Sequence, residues 1–573
     1  MNMFGLADNL VRFLKDSMEH WSTDVYCNNS QLGNVKIRRG IFQGDSFSPI
    51  LFILALIPIS LVLRKSKMGY KLSKDGPNIN HMFFMDDLKL FAKSENEIDS
   101  LVQTVQLCCQ DTGMEFGIAK CSVLTMKRGK KADTRNIVLP TGECMTEPDS
   151  KGYKYLGILE YDKILKCEMK EKVKSNYFRR LKLLLKSKLN AGNLFCGINS
   201  WAVAVIRYSA SIIDWNKDEV DDIDRKTRTL LKIYGAFHKK SNVNRLYMKR
   251  KVGGRGLISI RECIDAEVRN LHEYISNSEE ELLVFTSASL GLDPDGIETK
   301  KEFKERVARE RKEELESMKL HGQFGNNTND LKVKESWEWL RVGDLKRETE
   351  ALIMAAQEQA LNTNSIKKHI YKTSDSDKCR LCSVSVETVS HIISGCKTLA
   401  QKEYKRRHDK VCQNIHWALC KKYNIPCTDN WYQHTPEKVV ENEKVKLLWD
   451  FAFQVDRVLN EGEEDENANR PDISILIKKN RACFLIDVAI PNDKNIKDKE
   501  LNKIRKYTDL KIEISKIWNC TTKVVPIIIG ALGSVTKNLE NHIKTLEIDS
   551  KISTFQKSAI LGTAHILRKF LSV

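Results

Sequence analysis

The sequence has no apolar run long enough to cross a membrane comfortably, which takes about 20 residues. Its longest run, PILFILALIPISLVL at 49–63, is shorter and contains Pro58, so it predicts a buried helix. Residues 1–17 mix charged and apolar side chains without a separate apolar core, which argues against a signal peptide. We therefore expect no membrane partner and no secretory route.

Internal repeats and long low-complexity segments are also missing. With 41% hydrophobic and 30% charged residues, the composition excludes a fibrous or wholly disordered chain, and 573 residues suffice for two to four domains. The 94 Lys and Arg exceed the 76 Asp and Glu by 18. This excess favours a polyanionic partner, nucleic acid first, although a solvated basic surface is the alternative.

The 16 cysteines are expected to be reduced, because no secretory route is predicted. Close cysteine pairs therefore indicate metal ligands before disulfides.

Changes of texture along the chain predict a multidomain protein of mixed α/β and α+β class. Residues 1–160 mix helices with short strands, and residues 161–370 are helical and basic, with a charged helix at about 299–318. Residues 371–425 combine a cysteine-rich knuckle with a basic helix. Residues 440–573 have a strand–strand–helix–strand order, with strands at PDISILIKK and ACFLIDVAI, a lysine-rich helix at 496–518 and a strand at VVPIIIGAL. The acidic segment NEGEEDENAN at 460–469 is predicted to be a surface loop.

Two motifs near the N-terminus point to phosphoryl-transfer chemistry. FFMDDLKLF predicts a hairpin with Asp86 and Asp87 at its tip, where adjacent carboxylates can hold Mg²⁺. A solvated turn explains most such pairs taken alone. The turn GIFQGDSFSP, forty residues upstream, has small and polar groups suited to a nucleotide or template strand.

These motifs are followed in order by GMEFGIAKC at 113–121 and YKYLGI at 153–158. The set resembles the palm of reverse transcriptases from non-LTR retrotransposons, in which YKYLGI corresponds to the strand that grips the primer. The resemblance implies an RNA-directed DNA polymerase fold, with residues 161–370 as helical thumb and linker. It makes Asp86 and Asp87 catalytic Mg²⁺ ligands, and it assigns nucleotide or template binding to Gln43, Gly44, Asp45 and Lys120.

The first aspartate that such palms require has no counterpart here. It belongs on an earlier apolar strand, whereas the aspartates upstream of Gln43 are Asp8, Asp16 and Asp24, in helix-like or polar settings. The finger subdomain is also missing. We therefore expect a palm truncated at its N-terminus, which polymerises little or nothing because a metal carboxylate is lacking.

A second motif suits zinc. Cys379-x2-Cys382-x8-His391-x4-Cys396 provides thiolates and an imidazole for a tetrahedral site, with a reduced helical core as the alternative. The resemblance implies a CCHC zinc knuckle at this place. Cys412, Cys420 and Cys427 are spaced too widely to assign and are predicted to be structural.

A basic segment follows the knuckle. Tyr404, Arg406, Arg407 and His408 offer cations and a ring to nucleic acid, although an exposed basic helix explains them nearly as well.

A third motif combines Asp472, in Arg470-Pro471-Asp472, with Asp487 in FLIDVAIP and a lysine-rich helix. Two carboxylates and a lysine are the parts of a Mg²⁺-dependent phosphodiesterase; a turn and an edge residue are the alternative. Asp487 interrupts an apolar strand, where a lone carboxylate is costly.

This tract resembles the restriction-like endonuclease of site-specific non-LTR elements, a PD-(D/E)xK relative. The resemblance implies that Asp472 and Asp487 hold Mg²⁺ and that Lys503 is the catalytic lysine. Lys506 and Tyr507 would support it and bind nucleic acid. Lys497, Lys499 and Lys506 lie near Lys503, which leaves the choice of lysine open.

The whole pattern implies a retrotransposon enzyme that nicks its DNA target and primes reverse transcription of its own RNA from the freed 3′ end. Its expected cofactors are Mg²⁺ and Zn²⁺, its partners are target DNA, element RNA and a possible second copy, and its expected location is the nucleus. Two alternatives stay open: a nuclease-only protein, and a non-catalytic nucleic-acid-binding remnant of a retroelement.

Overall fold

The computed structural model describes residues 5–572 apart from 39, 150, 294–295, 329–330, 332, 343 and 456–467. The chain divides into two compact units. The N-terminal unit comprises residues 1–171 and 272–297, and the C-terminal unit comprises residues 172–271 and 298–573. The predicted boundaries at 160/161 and 370/371 do not coincide with this division.

Helices make up most of the regular structure of the described residues. The α-helices are α1 (Asp8–Glu19), α2 (Ser48–Lys65), α3 (Glu95–Thr112), α4 (Lys166–Lys186), α5 (Ala191–Gly197), α6 (Val203–Ser209), α7 (Lys217–Ile233), α8 (Val243–Tyr247), α9 (Ile260–Ser276), α10 (Glu281–Leu290), α11 (Lys300–Ser317), α12 (Gln323–Thr328), α13 (Val333–Ser336), α14 (Glu338–Val342), α15 (Arg347–Gln357), α16 (Asn364–Ile366), α17 (Val389–Ser394), α18 (Lys397–Leu399), α19 (Lys405–Lys422), α20 (Ile496–Lys506), α21 (Thr508–Ile517), α22 (Leu539–Leu546) and α23 (Ile552–Leu571). The charged helix predicted at 299–318 is confirmed as α11.

The strands form short hairpins in the N-terminal unit and one larger sheet in the C-terminal unit. They are β1 (Ser22–Cys27), β2 (Ser30–Lys36), β3 (Tyr70–Lys71), β4 (Asn78–Ile79), β5 (His81–Phe84), β6 (Asp87–Leu90), β7 (Met126–Lys127), β8 (Lys130–Lys131), β9 (Ile137–Val138), β10 (Cys144–Met145), β11 (Tyr153–Tyr155), β12 (Ile158–Glu160), β13 (Val439–Glu441), β14 (Val445–Trp449), β15 (Ile473–Ile477), β16 (Ala482–Ala489) and β17 (Thr521–Ile528).

The core of the N-terminal unit lies between α2, α3 and the β5–β6 hairpin. Leu56, Ile59 and Leu63 of α2 are buried together with Leu101 and Val105 of α3. Apolar residues of the hairpin, among them Phe83 and Leu88, pack against this cluster. Among the described residues of this unit, every sheet has two strands, so a continuous palm sheet is not formed there.

Helix α2 contains the long apolar run and is buried on one side only, which corrects the expectation of a buried helix. Ile50, Ile53 and Val62 are between 44% and 51% exposed. By length and composition it is the one helix, among the residues the structure describes, that passes as a candidate membrane span.

The C-terminal unit is built on a five-stranded sheet of order β13-β14-β15-β16-β17. The first four strands pair antiparallel, and β16 pairs parallel with β17. A parallel pair needs a crossover, which here is α20 and α21. The predicted strands at PDISILIKK and ACFLIDVAI are confirmed, whereas the single predicted helix at 496–518 is two helices that meet at Tyr507.

One hydrophobic core joins the cysteine-rich segment to this sheet. It runs from Phe324 to Phe570 and includes Cys379 and Cys396 as well as residues of β14, β15 and β16. Helix α23 packs against α14, α15, α17 and α19. The approach to α19 is so close that a Cβ on Gly562 would lie 2.5 Å from Cγ of Arg407. The predicted acidic loop at 460–469 lies, except for its last two residues, outside the described residues.

Candidate functional site

The hairpin β5–β6 carries the first predicted carboxylate pair. Phe84 pairs with Asp87 across the hairpin, so Met85 and Asp86 form the two-residue turn. Met85 takes a positive φ of 55°, as such tight turns require. Asp86 and Asp87 are both exposed, and the predicted position at the hairpin tip is confirmed.

A second hairpin, β11–β12, lies beside the first. Lys89 of β6 forms an ion pair of 2.6 Å with Glu160 of β12. Burial and the nearby negative charge of Asp87 raise the pKa of Tyr155 in β11. The structure thus brings the predicted carboxylates next to the predicted primer-gripping strand.

The GIFQGDSFSP turn leads into α2. One carboxylate oxygen of Asp45 accepts hydrogen bonds from the backbone amides of Phe47 and Ser48 at 3.1 and 2.9 Å, and from the Ser48 hydroxyl at 3.0 Å. Asp45 therefore caps this helix. Gln43 and Gly44 are exposed, with Gly44 at a φ of 97°.

Lys120 ends a short 3₁₀ turn at 118–120 and is exposed. Its carbonyl oxygen accepts a hydrogen bond of 2.8 Å from the hydroxyl of Tyr153 in β11. The structure therefore places this lysine beside the predicted primer strand, and its role at incoming phosphates stays a prediction.

The aspartates upstream of Gln43 lie away from any buried strand. Asp8 and Asp16 belong to α1, and Asp24 lies on β1, all of whose residues are exposed. The Asp24 carboxylate accepts hydrogen bonds of 2.9 Å from both Gln31 and Asn34. In residues 5–38, therefore, no carboxylate occupies the buried strand position that a third palm ligand needs.

The cysteine-rich segment brings its four predicted ligands together. Cys379, Cys382, His391 and Cys396 have donor atoms that all lie within 4.8 Å of one another. The Sγ atoms of Cys379 and Cys396 are 4.0 Å apart, and Sγ of Cys382 is 3.4 Å from Nε2 of His391. Tetrahedral zinc sets about 3.8 Å between two sulfurs and about 3.6 Å between sulfur and nitrogen, so the group fits zinc.

Local backbone structure explains this convergence. Lys378 and Val386 form an antiparallel bridge, which folds the Cys379–Cys382 turn back on itself. Hydrogen bonds from the Ser385 and Val384 amides lower the pKa of Cys382 to about 6, whereas burial raises the pKa of Cys379 to about 11. Thr388 caps α17 by accepting from the His391 amide.

The basic segment after the knuckle is only partly on the surface. Arg406 is exposed, but Arg407 is 3% exposed and donates hydrogen bonds to Thr563 at 3.0 Å and to the Ile490 carbonyl at 3.1 Å. The Tyr404 hydroxyl contacts the backbone of His391, Ile392 and Cys396. The prediction that Arg407 binds nucleic acid is therefore corrected, because its guanidinium ties α19 to α23.

The third predicted site lies where β15 begins and β16 ends. Ile473 of β15 pairs with Ile486 of β16 in an antiparallel register. This register places Asp472, directly before β15, opposite Asp487. The two carboxylates thus meet because the strands run in opposite directions, although fifteen positions separate them in sequence.

Asp487 is 2% exposed and contacts the helices of the crossover. Tyr507, between α20 and α21, donates a hydrogen bond of 2.7 Å to Oδ1, and Nζ of Lys503 lies 2.5 Å from Oδ2. Lys497 and Lys499 are exposed. Contact with the buried carboxylate favours Lys503 among the lysines of this helix.

Asp472 is held from two sides. Its Oδ2 accepts a hydrogen bond of 2.7 Å from the Val488 amide and lies 3.1 Å from Nε2 of His408 in α19. Cys412, one turn further along α19, lies 3.7 Å from the His408 ring nitrogens. His408 therefore belongs to the carboxylate site.

The two carboxylates have opposite pKa directions. Burial, and next the negative charge of Asp472, raise the pKa of Asp487 despite Lys503 and Tyr507. Burial alone would also raise the pKa of Asp472, but the hydrogen bond and charge of His408 lower it overall. Environments that separate the pKa values of neighbouring carboxylates are typical of functional sites.

Tyr507 and His408 have other roles than the predicted contacts with nucleic acid. Tyr507 is 1% exposed and orients Asp487, whereas His408 contacts Asp472. A polar side chain directly after a lysine-rich helix, and a histidine one helical turn before a cysteine, are weak signals in a sequence. The burial that gives them these roles is set by long-range packing.

Comparisons with known proteins agree with the N-terminal motifs. Residues 4–159 match the family Reverse transcriptase (RNA-dependent DNA polymerase), so the chain contains a reverse transcriptase segment. It is also similar to the retrovirus-related Pol polyprotein from type-1 retrotransposable element R2 of Popillia japonica, at 22% identity over 274 residues, which cover 46% of this chain and 43% of that polyprotein.

An uncharacterised mitochondrial protein of Arabidopsis thaliana is 38% identical over 65 residues, which cover 10% of this chain and 53% of that protein. The chain thus spans about half the length of the curated relatives it matches. These similarities support a retrotransposon polyprotein with a reverse transcriptase segment.

Proposed function

We propose that this chain is part of a non-LTR retrotransposon polyprotein and that its C-terminal unit nicks target DNA in a Mg²⁺-dependent reaction. The observation that carries the proposal is Asp487, a carboxylate 2% exposed that meets a lysine, a tyrosine and a second carboxylate. Burying an ionisable group at this cost is uncommon unless the site uses it.

The donor set suits the expected metal. Asp472 and Asp487 offer hard carboxylate oxygens, which Mg²⁺ prefers, and both would hold it. A bound Mg²⁺ neutralises phosphate charge and makes water a stronger nucleophile. Sequence resemblance and the meeting of both carboxylates at one edge of the sheet support this assignment.

The surrounding side chains prepare the carboxylates for this task. Tyr507 fixes the orientation of Asp487 through its hydroxyl, and the Val488 amide does the same for Asp472. His408 keeps Asp472 ionised because it lowers the pKa of that carboxyl. Lys503 provides a cation that can steady the charge developing on a phosphate held between the carboxylates.

The cysteine-rich knuckle would hold a structural Zn²⁺ through Cys379, Cys382, His391 and Cys396. Its four donor atoms fit a closed tetrahedral site, and it shares a hydrophobic core with the nuclease sheet. Zinc there would stabilise the same unit that carries the carboxylates. Arg406 remains available on the adjoining surface for a DNA phosphate.

RNA-directed DNA synthesis is the second candidate function, favoured by the reverse transcriptase match of residues 4–159. Asp86 and Asp87 would be its Mg²⁺ ligands, and element RNA its template. We propose that this chain alone polymerises little, since two carboxylates lack the third that the palm needs. Target DNA and the nucleus follow from the same proposal, as does a second copy to cut the other strand.

A nicking assay tests the main proposal. The purified chain, loaded with zinc, is incubated with supercoiled plasmid in Mg²⁺, beside Asp487→Asn and beside the double variant Asp86→Asn/Asp87→Asn as matched control. We expect Mg²⁺-dependent nicking by the wild type and the control, and none by Asp487→Asn. Tight DNA binding without nicking by any of the three would favour a non-catalytic remnant.

Primer extension on an RNA template tests the second candidate. The proposal expects little or no extension by the wild type. Robust extension that disappears in the double variant would show that two carboxylates suffice, and would overturn the proposed loss of polymerase activity while leaving the nicking proposal intact.

A further inference from the structure

A third cluster of metal-ligating side chains lies in the C-terminal unit, apart from the knuckle and the carboxylate site. His416 and Cys420 are one turn apart on α19, and His434 follows a short 3₁₀ turn at 431–433. All three are buried, and their donor atoms lie within 4.8 Å of one another. In sequence they belong to the pattern H-x3-C-x6-C-x6-H, whose second cysteine is Cys427.

The three donor atoms lie close enough together to share one ion. Sγ of Cys420 is 3.5 Å from Nδ1 of His416, close to the separation of about 3.6 Å that tetrahedral zinc sets between sulfur and nitrogen. Nδ1 of His416 is 2.8 Å from Nε2 of His434, which is shorter than the separation of about 3.3 Å between two nitrogens on a tetrahedral zinc, so the two rings would move slightly apart when the ion binds. Cys427 lies outside the group of three but packs against the same hydrophobic core.

The surroundings favour ligands over a titrating pair. The ring of Trp449 packs edge-on against His416 at 5.6 Å, and both histidines are buried. Burial among apolar groups favours the uncharged imidazole, which is the form that binds metals.

We propose that His416, Cys420 and His434 form a second structural Zn²⁺ site, with Cys427 as the fourth ligand. The site would fasten the segment 423–438, between α19 and β13, to the end of α19. Because this segment leads directly into β13, the edge strand of the sheet that carries Asp472 and Asp487, this zinc would anchor one edge of that sheet. The inference does not depend on nicking activity.

Metal stoichiometry tests the proposal. The full chain is purified in reducing buffer and its zinc is measured by mass spectrometry, with two equivalents expected for the wild type. His434→Asn should retain one equivalent, and Cys379→Ser/Cys396→Ser should also retain one. Cys483→Ala, which changes a buried cysteine of β16 that belongs to none of these clusters, should retain both and serves as the control.

A second measurement guards against variants that fail to fold. The wild-type chain, stripped of metal, is titrated with Co²⁺ while the visible absorption of tetrahedral cobalt thiolates is followed. Saturation at two equivalents supports the proposal. Saturation at one equivalent, or a zinc content of His434→Asn equal to that of the wild type, would overturn it.

Discussion

Two carboxylate pairs in this molecule occupy opposite environments. Asp86 and Asp87 lie at the exposed tip of a two-stranded hairpin. Asp472 and Asp487 lie near the ends of two neighbouring inner strands of a five-stranded sheet. They are held by an amide, a histidine, a tyrosine and a lysine. Only the second pair is oriented by side chains that are themselves fixed by packing.

The difference follows from how each pair is built. A hairpin places adjacent residues at its tip without help from the rest of the chain, so its carboxylates need outside partners for orientation. Antiparallel strands instead bring distant residues together and bury them against crossover helices. The second pair is therefore held in place by neighbouring side chains, which is what a working metal site requires.

The largest loss of nicking activity is expected when the lysine beside Asp487 is replaced. Lys503→Met should lower the nicking rate by about 100-fold to 1,000-fold, as loss of a preorganised charge-stabilising group does. The measurement is the rate of plasmid nicking at saturating Mg²⁺. Lys499→Met, one turn earlier on α20 and exposed, is the matched control and should leave the rate unchanged; equal losses in both variants would contradict the assignment.

The supporting shell is tested by Tyr507→Phe, which removes the hydroxyl that donates to Asp487 and leaves the ring in place. Loss of such an outer partner should weaken Mg²⁺ binding or activity by about tenfold to a hundredfold. Calorimetric titration with Mg²⁺ and the nicking rate both report it. Tyr177→Phe removes another buried hydroxyl, which meets Thr227 at 2.9 Å, and should change neither.

The pH dependence of Mg²⁺ binding tests the raised pKa of Asp487. Because burial raises the pKa of Asp487, a proton competes with the metal at a higher pH than at an ordinary aspartate. Affinity should therefore fall as pH falls through the raised pKa, by up to about tenfold per unit for one proton.

The variant Tyr507→Phe tests whether Asp487 controls this pH dependence. Its hydroxyl lowers the pKa of Asp487, so its removal should move the loss of affinity to higher pH. A curve that moves to lower pH, or does not move, would show that another group controls the titration.

The smallest effect is expected on stability, at Asp45 in the turn before α2. Asp45→Ala should destabilise the N-terminal unit by about 1 kcal/mol, because the cap of α2 is lost. Thermal unfolding measures it, and Asp45→Asn, which can still cap, should retain most of the stability. Equal stability of all three proteins would contradict the capping role and leave template binding as the predicted role of Asp45.

Local features of both sites could be predicted from the sequence. The β5–β6 hairpin, the strands at Asp472 and Asp487 and the convergence of Cys379 with Cys396 depend on short-range patterns of apolar, turn and cysteine residues. These patterns carry enough information because each element begins and ends at a recognisable residue. The four-ligand group needed only the spacing of a knuckle.

The remainder depends on packing that no short pattern contains. Arg407 looks basic and exposed in sequence, yet its guanidinium reaches residues 563 and 490, and α2 is exposed on one side because few elements cover it. His416, Cys420 and His434 meet only because a loop folds back along α19. Such contacts are set by tertiary structure and become visible only with it.

Helix α23 has a consequence for how the protein is made. Proteins generally fold as synthesis proceeds from the N-terminus, yet this core closes only around residues 552–571, which touch four other helices. The hydrophobic core that packs against the carboxylate-bearing sheet therefore stays open on the ribosome until those residues emerge. A product of premature termination would lack this closed core, so the proposed nicking activity should require complete translation.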